Sequence, residues 1–79
     1  MRYVYILRSL SSEERFYVGW TEDLRNRLKE HNSGRVKHTA KYLPWELKTY
    51  VAFSDEARAL ALEKYLKTAP GRACSKKRL

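Results

Sequence analysis

Tyr5, Tyr17, Arg27, His31 and Glu63 bring together two phenols, a guanidinium, an imidazole and a carboxylate in a short chain. Phosphodiester hydrolysis asks for such a set: a group to deprotonate water, a cation at the developing charge, and a carboxylate to hold a divalent ion. Each residue also has a plainer use. Buried tyrosines fill cores with the hydroxyl at the edge, and a helix glutamate is usually solvated. The force of the set is that its members could converge on one side of a small sheet.

Arg27 and His31 are the most telling pair. They lie four apart in the helix expected after Thr21, and so are neighbours on one face. Taking Leu24 as the origin, Leu28 falls at roughly 40°, His31 at roughly 340° and Arg27 at roughly 300° around the helix. Both polar groups therefore lie on or beside the apolar stripe, while Glu22, Arg25, Asn26, Lys29 and Glu30 share the opposite face. A cation and an imidazole turned inward need a partner, because burying them unpaired is costly. A carboxylate, a backbone carbonyl or an incoming phosphate would serve.

The elements that must position these groups can be read in order. Arg2 to Leu7 is dense in β-branched and aromatic residues on both sides, which predicts a strand covered on both faces. A polar loop leads to a second strand over Arg15 to Trp20, paired with the first as an antiparallel hairpin. On it Gly19 offers no side chain beside Tyr17, leaving room for an approach to the backbone. Thr21 is the expected N-cap of the first helix, with Glu22 and Asp23 in its first turn, and Asn32-Ser33-Gly34 its end. A basic connector follows from Arg35 to Pro44, with one helical turn expected over Thr39 to Tyr42. Trp45 to Phe53 alternates cleanly, placing Trp45, Leu47, Thr49, Val51 and Phe53 on one core face of a third strand. Ser54 is the expected cap of a last helix whose buried stripe runs Ala59, Leu62, Tyr65, Leu66, with Glu63 at its border. The fold class is α+β: a small, three-stranded, mostly antiparallel sheet flanked by helices, in the order β-β-α-(short α)-β-α.

Size and charge bound the function. Seventy-nine residues make one domain over residues 2–70 and a basic tail over 71–79. A formal net charge of +8 gives a field attractive to polyanions, nucleic acid first among them. Arg35, Lys37, Lys41, Arg72, Lys76, Lys77 and Arg78 are the candidate phosphate contacts. No stretch approaches the ~20 apolar residues that span a bilayer, and no helix joins a basic face to a strongly hydrophobic one, so a membrane partner is not expected. Arg2 is followed by only a short apolar run, so no signal peptide is expected. The lone Cys74 excludes an internal disulfide or a multi-cysteine zinc site and suits a reducing cytoplasm.

Tyr3-Val4-Tyr5, then Tyr17-Val18-Gly19, then Arg27 and His31, with Glu63 on a later helix, resembles the GIY-YIG nuclease domain over residues 2 to 70. It looks most like small stand-alone bacterial members, related to the nuclease domain of UvrC and to intron homing endonucleases. Tyr3 stands at the first motif's glycine and Val18 at the second motif's isoleucine. The resemblance implies a Mg²⁺- or Mn²⁺-dependent endonuclease using one ion, with Glu63 as its ligand. It further implies that Tyr5 and Tyr17 orient or deprotonate the attacking water, with Tyr17 preferred as base. Arg27 would stabilise the pentavalent transition state, and His31 would position or relay a proton. A phenol ordinarily loses its proton only near pH ~10, so Arg27 or the metal would have to favour the phenolate. The implied substrate is DNA, cut with low base specificity in repair or recombination, with branched or damaged forms sensed by shape. The competing expectations are a non-catalytic module that binds DNA or RNA on the same fold, and a basic protein-interaction or ribosome-associated domain.

Overall fold

The computed structural model describes residues 1–12 and 15–68. Three strands, β1 (Arg2–Ser9), β2 (Phe16–Thr21) and β3 (Trp45–Phe53), form one antiparallel sheet in the order β2-β1-β3. Helices α1 (Leu24–Asn32) and α2 (Lys37–Ala40) connect β2 to β3, and α3 (Glu56–Leu66) follows β3. The α+β class and the element order agree with the expectation from sequence. The basic tail over 71–79, with Arg72, Cys74, Lys76, Lys77 and Arg78, lies outside the described residues. No helix among the described residues is long and apolar enough to cross a membrane.

β1 is central, and Val4, Tyr5, Ile6 and Leu7 are all buried, as a strand covered on both faces requires. Val4 and Ile6 pack with Ala59 and Leu66 of α3, joined by Phe16, Val18, Trp20, Phe53 and Leu62. Tyr5 and Leu7 pack on the other face with Trp45, joined by Tyr17, Leu24, Leu28 and Leu47. One sheet thus separates two small cores, the first under α3 and the second under α1.

Several boundaries differ from the sequence reading, each for a local reason. β2 begins at Phe16; Arg15, one residue before it, accepts the Ser9 N–H on its carbonyl at 3.0 Å and holds its guanidinium 4.8 Å from the centre of the Tyr42 ring. Asp23, not Thr21, caps α1, its Oδ1 accepting from Asn26 N at 3.1 Å. Thr21 Oγ1 accepts from Asp23 N at 3.1 Å and so holds the cap. Likewise Asp55, not Ser54, caps α3 through Ala57 N at 2.9 Å. In each helix the aspartate stands directly before the first helical residue, where its carboxylate can accept a free N–H. The helical turn of the connector is Lys37–Ala40, earlier than Thr39 to Tyr42. Gly34 does end the first helical region with φ +82°, a left-handed value suited to glycine.

The third strand does not keep one core face. Ile6 pairs with Thr49 but Leu7 with Leu47, so Lys48 is an extra residue, a β-bulge. Beyond it every side chain changes sides. Trp45 and Leu47 join the Tyr5 core, whereas Phe53 joins the Val4 core. On α3, Tyr65 is 46% exposed, while Ala59 and Leu66 are buried. Among the described residues Leu66 closes that end of the stripe.

Candidate active site

The two tyrosines come from adjacent strands. In the β1–β2 ladder Tyr5 lies opposite Gly19 and Leu7 opposite Tyr17, which puts both rings on the α1 side of the sheet. Their ring centres are 6.3 Å apart. A Cβ built on Gly19 would lie 2.6 Å from the Tyr5 hydroxyl oxygen and 2.8 Å from its Cζ. The space expected beside Tyr17 is therefore filled by Tyr5 itself, whose hydroxyl crosses bare backbone. Any larger residue at position 19 would push that ring away.

Helix α1 supplies the other two groups. Leu24 and Leu28 pack on the Tyr5 core, and this seats the next turns of the helix against the rings. His31 is fully buried, with its ring centre 4.8 Å from that of Tyr17 and 5.8 Å from that of Tyr5. Its Nε2 is 2.9 Å from the Tyr5 hydroxyl and its Nδ1 is 3.0 Å from Thr39 Oγ1. Arg27 is half-buried and donates from Nε to the Tyr5 hydroxyl at 3.3 Å and from Nη1 to Glu30 at 2.7 Å. The second Glu30 oxygen accepts from Asn26 Nδ2 at 2.9 Å. The inward polar residues thus have protein partners: a phenol, a hydroxyl and a carboxylate.

The electrostatics follow from this packing. Burial, reinforced by the Arg27 charge and opposed by Glu30, pushes His31 down from 6.5 to about 4, so the ring is neutral. Burial also pushes the Tyr5 phenol up, against the lowering effect of the Arg27 hydrogen bond, with repulsion from Tyr17 and Glu63 adding to the rise. The hydrogen bond to Tyr5 and the Glu30 carboxylate together hold Arg27 charged. A guanidinium so fixed can still face an anion. Arg27 lines an open groove of about 310 Å³ with Trp20, Thr21, Glu22, Asp23, Asn26 and Glu30.

The structure brings Tyr5, Tyr17, Arg27 and His31 together. Glu63 comes from α3, the layer on the opposite face, where its side chain is 16% exposed and pairs with Lys67 Nζ at 3.4 Å. It is near enough to contribute to the rise of the Tyr5 phenol. No group of three or more His, Cys, Asp or Glu side chains is placed to hold a metal among the described residues. Arg35, Lys37 and Lys41 are exposed on and around α2.

Sequence reasoning missed two residues that hold this arrangement, Thr39 and Asn32. Thr39 is fully buried against His31. Asn32 clamps the start of β3, donating from Nδ2 to Trp45 O at 3.0 Å and accepting from Trp45 N at 2.7 Å. Trp45 Nε1 then donates to Thr39 O at 2.8 Å. Thr39 is an uncharged residue within a basic connector, and only the spatial closeness of α2 to α1 shows its use.

Fold and site together define a small α+β domain with a tyrosine–arginine–histidine centre on one sheet face. Its sequence matches the GIY-YIG catalytic domain over residues 1–77. The chain belongs to the GIY-YIG family. It is 39% identical over 66 residues to a UPF0213 protein of Lacticaseibacillus paracasei, covering 82% of this chain and 72% of that one. A structure-specific endonuclease subunit SLX1 homolog of Giardia intestinalis is 33% identical over 75 residues, covering 90% of this chain and 21% of the larger protein. The solution NMR structure of a UPF0213 protein from Bacillus halodurans superposes with a TM-score of 0.55 at 31% identity, covering 98% of this chain and 86% of that one. The sequence-based assignment to a small member of this family and its fold class agree with these likenesses.

Proposed function

We propose that this protein is a metal-dependent endonuclease that hydrolyses DNA phosphodiester bonds with little base readout, acting in DNA repair or recombination in the cytoplasm. The observation that carries the reading is the convergence of Tyr5, Tyr17, Arg27 and His31 on one sheet face around Gly19. Tyr17, as the phenolate, takes the proton from water as the water oxygen bonds to phosphorus, and passes it to the leaving oxygen as the P–O bond breaks. Arg27 faces the charge that accumulates on the phosphoryl oxygens. Tyr5 and His31 orient these groups. A structured, branched or damaged DNA is the favoured substrate, because the family relative from Giardia is described as structure-specific and this domain relies on backbone contacts. Arg35, Lys37, Lys41, Arg72, Lys76, Lys77 and Arg78 supply those contacts, each neutralised phosphate steepening the fall of log K with log salt by roughly 0.9.

Glu63 would hold one Mg²⁺ or Mn²⁺ ion together with water and substrate phosphate oxygens, since Mg²⁺ is commonly held by one or two carboxylates. What supports this is that the Glu63 charge is felt at the Tyr5 phenol. When bound, the ion would supply charge neutralisation at the phosphate. Glu63 would first have to exchange its Lys67 partner for it.

Nicking of supercoiled plasmid with Mg²⁺ tests the reading. Arg27→Ala and Glu63→Ala are each expected to lower the rate by about 100-fold or more, the scale of losing a group that stabilises transition-state charge. Equal activity in wild type and both variants would overturn it and leave the non-catalytic binding module.

A further inference from the structure

We propose that Thr39 is a positioning residue: it fixes which nitrogen of His31 carries the proton, and through His31 the direction in which the Tyr5 hydroxyl points. The argument runs along one chain of hydrogen bonds. Thr39 Oγ1 lies 3.3 Å from the Val36 carbonyl oxygen, which has no proton to give, so the hydroxyl donates there. The Val36 oxygen also accepts the Thr39 and Ala40 N–H groups. A hydroxyl that donates there leaves its lone pairs for His31 Nδ1 at 3.0 Å, and the Tyr5 proton on the other side of the ring makes that nitrogen the N–H. A neutral imidazole has one donor and one acceptor, so Nε2 is bare and accepts the Tyr5 O–H at 2.9 Å. The Tyr5 oxygen in turn accepts from Arg27 Nε at 3.3 Å.

The opposite arrangement fits worse. With the proton on Nε2, Tyr5 would accept from both His31 and Arg27, and its own proton would have no acceptor among the described residues. Buried polar groups are rarely left so. The backbone also holds Thr39 in place. Its N–H donates to Val36 O at 3.1 Å, and its carbonyl accepts from Trp45 Nε1 at 2.8 Å.

For catalysis, and resting here on the nuclease reading above, the consequence is a division of labour between the two phenols. Tyr5 spends its proton on His31 and its lone pair on Arg27. It orients the guanidinium and takes no proton from water. Proton acceptance falls to Tyr17.

Ring ¹H–¹⁵N correlation spectra of the full-length protein, without nucleic acid, test the tautomer directly. His31 is expected to show a protonated Nδ1 and a bare Nε2, with exposed His38 as the internal reference. Thr39→Val keeps the shape and removes the hydroxyl. It is expected to move the proton to Nε2 and to lower kcat for plasmid nicking about tenfold, less than the roughly 100-fold or more that a proton-transferring group itself contributes, with KM unchanged. Thr39→Ser is expected to restore both. A wild-type ring protonated at Nε2, a Thr39→Val ring that keeps its Nδ1 proton, or a swapped ring with unchanged kcat would each overturn the proposal. The wild-type and Thr39→Ser spectra decide the tautomer even where Thr39→Val fails to fold. Because the spectra need no cleavage, an inactive protein with the expected tautomer would overturn the nuclease reading and leave this assignment standing.

Discussion

The central strand buries side chains on both faces of one small sheet, and the two faces solve the same problem in different ways. Under α3, Val4 and Ile6 meet Ala59 and Leu66, and the layer is held by apolar contact. Under α1, the layer that contains Leu7 and Trp45 also contains the Tyr5 hydroxyl, the His31 ring and Thr39, all fully or nearly fully buried. Hydrocarbon contact is non-directional and tolerates repacking, whereas a buried hydrogen-bonded chain holds each atom to one place. The face that holds Tyr5, Tyr17, Arg27 and His31 is the face whose core is polar and directional. The other face stabilises the sheet so that this one can be specific.

The strongest way to break that comparison is to cut the apolar layer. Leu66 is 2% exposed and closes the α3 core. Leu66→Ala is expected to cost about 2–5 kcal/mol, the range for truncating a buried leucine, read as a fall in the urea midpoint. In a domain this small that is a large share of the total stability. The surviving folded fraction should keep the His31 ring protonated as in wild type. A Leu66→Ala protein that remains folded with a rearranged ring would show that the two faces are not independent.

Acid should strike the other face. His31 titrates at about 4 in the fold and 6.5 in the ordinary state, so the unfolded chain binds a proton over a range in which the fold refuses it. The stabilisation is complete above pH 6.5 and is lost as pH falls toward 4. A difference of that size corresponds to about 3 kcal/mol. Urea melts at steps between these limits measure it. His31→Gln should flatten the slope, while Leu66→Ala should lower the whole curve and leave its slope intact. A wild-type curve that is level over this range would mean that His31 is not held neutral.

The two faces were unequally legible in the sequence. Strand and helix types, their order and the burial of His31 followed from local pattern, because apolar spacing reports directly on which side an element covers. The split of β3 did not, since a one-residue bulge leaves the alternation of Trp45, Leu47 and Val51 unbroken while it turns the later residues over. Tyr65 was expected in the core by its helical spacing, but the stripe narrows at the helix end and Leu66 takes the place. On the site face, motif spacing led to Tyr5, Tyr17, Arg27 and His31. Thr39 and Asn32 stayed hidden, because a hydrogen bond between α1 and residues many positions later leaves no periodic trace. Their part is fixed by where α2 and the start of β3 come to rest against α1.

The finest test uses two matched caps. Asp23 caps α1 and Asp55 caps α3, each by accepting one backbone N–H. Both are exposed, and replacing either by alanine should cost about 1 kcal/mol, the usual loss of an N-cap. Equal costs in stability should have unequal consequences. Asp23 begins the turn that carries Arg27, whose N–H donates to the Asp23 carbonyl at 3.0 Å. Loosening that turn loosens the guanidinium set against Tyr5, so Asp23→Ala should slow plasmid nicking severalfold at a temperature where both variants are fully folded. Asp55→Ala loosens only the start of the α3 layer, two turns before Glu63, and should leave the rate within twofold of wild type. Equal rates would mean that Arg27 is placed by its side-chain partners Tyr5 and Glu30 alone, and that the helix start beneath it plays no part.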